Sequence, residues 1–187
     1  MQPLRLAVLA AAVLAAGGCT SSREARGDSV GAVRELFTDP TAVATAALKP
    51  VRGSDIEGKV TFAQYGAAVV VRASFLGLAP NRDYSLHIHE NRDCASVGTS
   101  GGHFNPGGAP HGRPGRGPHH AGDLPNVAAD GEGNVSYAFE TTAISLAEGA
   151  TNVLGRVIVL SRDKDDFRTQ PDGGSGPPLA CGLIRRN

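Results

Sequence analysis

The sequence has no tryptophan, only three tyrosines and six phenylalanines, and a single methionine. A chain this poor in aromatics, with no basic block among them, lacks the stacking platforms and cationic face of a nucleic-acid surface, so no nucleic-acid partner is expected. Net charge is lacking too: Lys plus Arg and Asp plus Glu each number 18. No polyanion is implied. Long hydrophobic runs are also missing. The longest, Leu6 to Ala16, is well short of the roughly twenty apolar residues that span a bilayer as a helix. Cysteines number only three, and no histidine lies outside positions 87 to 120.

The short apolar run follows Arg5 and ends at Gly17 and Gly18 before Cys19. That order reads as an export signal over residues 1–18, removed before folding. Ala16-Gly17-Gly18-Cys19 resembles a bacterial lipoprotein box, with Ala16 in place of the commoner leucine. Cys19 would then carry lipid and anchor the protein to a membrane; a plain secretory signal with an incidental cysteine is the alternative. Thr20, not aspartate, follows Cys19, which resembles outer-membrane sorting. Residues 19–42 are polar, small and mixed in charge, as a tether requires. The expected location is therefore outside the cytoplasm, periplasmic or at the cell surface. Residues 43–187 suit one domain. Setting Cys19 aside leaves Cys94 and Cys181, an even pair that an oxidising compartment would join; two buried thiols are the alternative.

Glycine is abundant, at 25 residues. Short β-prone segments recur between Gly, Pro, Asn and Asp from Val43 onward, which points to an all-β sandwich or barrel. The pattern predicts strands over Val43–Lys49, Glu57–Gln64, Ala67–Phe75, Asp83–His89, Asn126–Ala129, Asn134–Phe139, Val153–Leu160 and Cys181–Ile184. Two long connections interrupt them. Residues 98–118 contain twelve Gly or Pro, and residues 161–178 are equally unsuited to regular structure. Loops of this length in a compact domain need an organiser.

For the first loop the sequence offers one. The six histidines fall in LHIHE (86–90), GGHFNP (101–106), His111, His119 and His120, closing with Asp123. His87 and His89 are two apart in a predicted strand, so they project from one face and can share a metal. Two polar side chains on a solvated face would look the same. His103, His111, His120 and Asp123 form a stronger set, because three imidazoles and a carboxylate complete a tetrahedral zinc site of the kind that fixes a loop. His119 has no assigned role and is taken as a surface residue.

The runs LHIHENRDC, GGHFNPGGAPHG, HHAGDLPN, GRVIV and LACGLI together resemble a bacterial copper/zinc superoxide dismutase, over about Val43 to Arg185. The resemblance implies an eight-stranded Greek-key β-barrel with two long loops, acting on superoxide outside the cytoplasm. It places copper at His87, His89 and a shared His103, and zinc at His103, His111, His120 and Asp123. Asp165 matches a carboxylate that links a copper-side to a zinc-side histidine, and Cys94 with Cys181 matches the family disulfide.

Two positions depart from the pattern. Where the family carries its fourth copper histidine the chain has Ser161, and where it carries an arginine that guides superoxide the chain has Pro178. A serine hydroxyl is a poor copper ligand, and no seventh histidine exists. Both losses fall on the copper half. Two expectations follow: a dismutase with weak or absent turnover, or a non-catalytic, zinc-stabilised lipoprotein of the same fold that holds copper.

Overall fold

The computed structural model describes residues 39–51, 53–94 and 100–187. The expected export signal, Cys19 and most of the expected tether lie outside them. Nine antiparallel strands are found, and no helix among the described residues: β1 (Ala42–Pro50), β2 (Glu57–Tyr65), β3 (Ala68–Leu76), β4 (Asp83–His89), β5 (Val127–Ala128), β6 (Val135–Thr141), β7 (Val157–Ser161), β8 (Pro178–Leu183) and β9 (Arg185–Arg186).

Strand order is β5-β4-β7-β8-β1-β2-β3-β6, with β9 pairing to the outer part of β1. The chain therefore crosses over between β3 and β4 and again between β6 and β7, in Greek-key fashion. The result is a nearly closed eight-strand antiparallel barrel, as expected, plus one extra two-residue strand. β9 carries two charged residues and no hydrophobic alternation, so no periodicity announces it. The expected strand Val153–Leu160 begins only at Val157. Gly155, at φ 77°, turns the chain just before it.

The side-chain pattern explains which face is which. β1 buries Ala44, Ala46 and Leu48, β2 buries Val60 and Phe62, and β3 buries Val69, Val71, Ala73 and Phe75, each at every second position. One face of these strands meets the core and the other meets solvent. β4 and β7 break this rule. Every residue from Tyr84 to Ile88 and from Val157 to Ser161 is buried. On one face, Leu86, Ile88, Ile158 and Leu160 enter the main core. On the other, Ser85, His87, Val159 and Ser161 are covered as well, and only the long loops remain to cover them.

Those loops are pinned covalently. Cys94 and Cys181 form a disulfide, with Cα atoms 5.7 Å apart at a sequence separation of 87. The bond ties the loop after β4 to β8, beside a small apolar cluster of Val157 and Val159. Replacing both cysteines by serine is expected to lower stability by about 2 to 5 kcal/mol, because the unfolded chain regains the closed loop's freedom. Urea denaturation should show this as a lower midpoint with a steeper slope, because the unfolded chain without the cross-link exposes more surface.

Candidate metal centre

β4 and β7 pair in register, with Ser85 opposite Ser161, His87 opposite Val159 and His89 opposite Val157. His87 and His89 thus stand on the outer face of β4, as their spacing requires. The free edge of β4 then recruits loop segments as short strand-like pieces. Phe104 N–H donates to Ile88 O at 2.8 Å, Ile88 N–H to Gly122 O at 2.9 Å, and Glu90 N–H to Gly102 O at 3.0 Å. His103 and Asp123 are thereby carried to the edge beside His89 and His87. Gly122 makes this approach possible, since a β-carbon there would overlap Ile88 O and crowd the Phe104 backbone.

The structure brings His103, His111, His120 and Asp123 together as a buried group whose ligand atoms lie within 4.8 Å of one another. Asp123 is the centre: His103 Nδ1 is 2.8 Å, His111 Nδ1 3.1 Å and His120 Nδ1 3.4 Å from its oxygens. Zinc with bonds of about 2.0 Å holds tetrahedral donors roughly 3.3 Å apart. His111 Nδ1 and His120 Nδ1 are also buried without a hydrogen-bond partner. Buried nitrogens are rarely left so, and a cation between them satisfies both. The donor set fits zinc. His119 stays outside the group, half-buried, its Nδ1–H donating to His120 O at 2.7 Å.

His87 and His89 lie next to this cluster. The rings of His87 and His103 stack with centroids 3.9 Å apart, and His89 meets His103 edge-on at 5.2 Å. His89 Nδ1–H donates to Gly101 O at 2.8 Å, leaving Nε2 for a ligand. His87 uses Nε2 on Asp165 at 2.8 Å, leaving Nδ1.

Asp165 joins the two groups. Its second oxygen takes His111 Nε2–H at 2.9 Å, so one carboxylate orients two imidazoles and selects their tautomers. The loop carrying it is organised by contacts that spacing does not announce. Asn126 clamps the Asp165 backbone, donating to its O and accepting from its N–H, both at 2.9 Å. Gln170 does the same for His111, again with two bonds of 2.9 Å. Gly173, at φ 69°, packs on the Asp165–His111 hydrogen bond itself, where any β-carbon would overlap the carboxylate. Arg156 stacks on Phe104 at 3.7 Å and donates to Glu90 O and Asn152 O. In the sequence, only the need of loop 161–178 for an organiser pointed toward these residues.

Electrostatics divide the histidines. Burial pushes His87 and His89 down to about 4, so both are neutral ligands at neutral pH. Burial also works against a charged His111, but the neighbouring carboxylates of Asp123 and Asp165 outweigh it and hold this group up at about 9. Against their own burial, the histidine hydrogen bonds hold Asp123 and Asp165 well below the usual carboxylate range. His111 must therefore give up a proton before Nδ1 can bind a metal.

Beside His87, His89 and His103 lies a pocket of about 740 Å³, walled by Val159, Ser161, Pro178 and the Cys94–Cys181 disulfide. Ser161 and Pro178 are cross-strand partners at a register shift between β7 and β8. Proline, which cannot donate to the ladder, is tolerated at such an irregularity. Apart from histidines, the ionisable residues lining the pocket are Glu90 and Asp172, and no lysine or arginine lines it among the described residues. Arg162 pairs instead with Asp163 at 2.9 Å. For copper the fit is incomplete: three imidazoles, one of them shared with the zinc group, do not make four nitrogen donors.

A family profile described as copper/zinc superoxide dismutase (SODC) matches residues 56–184. The chain is 34% identical to the Cu-Zn superoxide dismutase 2 of Aquifex aeolicus over 137 residues, 70% of this chain and 80% of that one. It is 35% identical to the Cu-Zn superoxide dismutase of Deinococcus radiodurans over 147 residues, 70% of this chain and 78% of that one. The crystal structure of the clock protein EA4 is similar with a TM-score of 0.70 and 33% identity, covering 80% of this chain and 96% of that one.

His111→Ala is expected to abolish tight zinc binding. With free zinc a thousandfold above its dissociation constant, the wild type gains about 4 kcal/mol from the metal, or roughly 8 to 16 °C in Tm for a chain of this size. Thermal melts with zinc and with a chelator should show that difference for the wild type and none for His111→Ala.

Proposed function

Since the chain belongs to the copper/zinc superoxide dismutase family, we propose that it is an exported, lipid-anchored member with a complete zinc site and a copper site short of one histidine. Superoxide is the substrate class consistent with the family, and its dismutation here is weak or absent. The domain from 43 to 187 is displayed outside the cytoplasm on a tether from Cys19.

One observation carries this reading. The two departures from the family pattern, Ser161 and Pro178, stand opposite each other on one wall of the copper-side pocket. The zinc set and its supporting Asp165 have no departure at all. A loss confined to one spot on one half separates the roles of the halves.

Copper in such a site would supply one-electron chemistry, accepting an electron from one superoxide and returning it to another. The chain's own residues bear on that chemistry as follows. His87 and His89 offer neutral nitrogens, fixed by Asp165 and by Gly101 O. His103 borders both groups, with Nδ1 committed to the Asp123 side. Among the described residues no lysine or arginine lines the pocket to draw in an anion, and Glu90 and Asp172 oppose it. His103, His111, His120 and Asp123 hold zinc and through it the loop. The second reading, a non-catalytic protein that holds copper, is favoured by that acidic lining, which suits a metal cation better than superoxide.

Protein loaded with copper and zinc is expected to turn over superoxide at least about a hundredfold below the diffusional ceiling of about 10^9 per molar per second. Turnover near that ceiling overturns the reading. The double variant Ser161→His with Pro178→Arg should raise both copper affinity and turnover. For the anchor, Cys19→Ser is expected to move the protein from the membrane fraction to the soluble one on cell fractionation.

A further inference from the structure

A second hollow lies on the outer face of the sheet formed by β2, β3 and β6. Its volume is about 330 Å³, and it shares no lining residue with the pocket beside His87 and His89. Strand register places its walls. Lys59, Ser74 and Ser136 form one row across the three strands, and Thr61, Arg72 and Ala138 form the next. The residues between them on β2 and β3, Val60 and Ala73, are buried in the core, so both rows face outward. Ser74, Ser136 and Ala138 are short and make the floor. Lys59 and Arg72, at diagonal positions on adjacent strands, stand over it. Diagonal neighbours are roughly 7 to 8 Å apart, a gap that two long cationic side chains can close around a small anion.

Neither cation has a partner. Among the described residues, Lys59 and Arg72 make no ion pair and no side-chain hydrogen bond. Other cations of the chain do pair: Lys49 with Glu57, and both Arg82 and Arg162 with Asp163. No carboxylate lines the hollow. Glu57, opposite Leu76, and Glu140, opposite Val70, each stand one row beyond its ends. Two like charges left side by side repel, and an anion between them removes that cost.

We propose that this hollow is an oxyanion site whose ligand is a terminal phosphate group. The inference is independent of the metal centre and of Ser161. Charge and geometry select the ligand. Arg72 offers a planar fork of N–H donors that matches two phosphate oxygens, and Lys59 supplies a point charge with three more. Thr61, Ser74 and Ser136 add hydroxyl donors for the remaining oxygens. A carboxylate, with two oxygens and one charge, would leave part of this set unused. A long polyanion does not fit, because the two cations make a point with Glu57 and Glu140 at either end. The phosphate can be free in solution or the monoester head group of an anionic lipid; the contacts are the same. The hollow is open to water, so binding weakens as salt is raised.

The test uses the full-length chain with Cys19→Ser, so that no acyl group contributes. Inorganic phosphate is titrated at constant ionic strength while the amide resonances of Ser74, Ser136 and Ala138 and the Arg72 Nε–H are followed by NMR. These signals should shift together and saturate. Lys59→Gln and Arg72→Gln should each raise Kd about three- to fivefold, as for loss of an exposed charge contact, with Tm unchanged because both side chains are exposed. Glu140→Gln should lower Kd. Arg116→Gln, which removes the same charge from the first long loop, should leave it unchanged. Flotation with phosphatidylcholine vesicles, with and without phosphatidic acid, separates the two sources: flotation that needs phosphatidic acid and is lost in both variants assigns the lipid head group, and a response to inorganic phosphate alone assigns the free anion.

The proposal is overturned if neither probe binds, or if Lys59→Gln and Arg72→Gln leave binding intact. It is equally overturned if Arg116→Gln weakens binding as much as they do, since net charge alone would then be responsible. Acetate binding as tightly as phosphate overturns the choice of ligand.

Discussion

One carboxylate holds this site together. Asp165 receives hydrogen bonds from His87 on β4 and from His111 in the first long loop, while its own backbone is clamped by Asn126. Strand, first loop and second loop therefore meet at a single buried side chain. Burying a charge is unfavourable unless it is fully hydrogen-bonded, and the two imidazole N–H groups with the N–H of Phe167 satisfy it. The outer faces of β4 and β7 can remain buried only while both loops lie over them. Without Asp165 the covering loops would keep the disulfide but lose their common point of attachment.

The division we propose between a complete and an incomplete half follows the layout of the strands. The zinc-type ligands sit at the free edge of β4 and in the loop paired to it, where backbone hydrogen bonds and Asp123 position them. Ser161 and Pro178 belong to the β7–β8 side, where they face each other at a register shift. Change at that wall touches no hydrogen bond to Asp123 or Asp165. A protein can lose chemistry there and retain its fold, its zinc-type group and its disulfide.

Much of this was legible in the residues. β4 was expected over Asp83–His89 and occupies those residues, because alternation, a bounding turn and β-prone side chains agree. The grouping of His103, His111, His120 and Asp123 followed from four ligand-type residues in a loop that has nothing else to order it. What could not be read was contact between distant loops. Gln170 and Asn126 are ordinary amides in sequence, and their two-way clamps exist only once the loops are laid across β4. The adjacency of Ser161 and Pro178 was likewise hidden, since seventeen positions separate them and a register shift, not simple spacing, makes them partners. β9 escaped because two arginines carry no alternation.

Arg156 has a consequence of its own. Its guanidinium lies flat on Phe104, the neighbour of His103, and donates to the carbonyl of Glu90, the neighbour of His89. The peptide units next to one ligand of each group are thus bracketed by a single planar cation. Neither unit can shift without unstacking or unbonding the same side chain, so the two metal positions share one mechanical frame. Arg156 thus resists displacement of the backbone beside His89 and beside His103 at the same time.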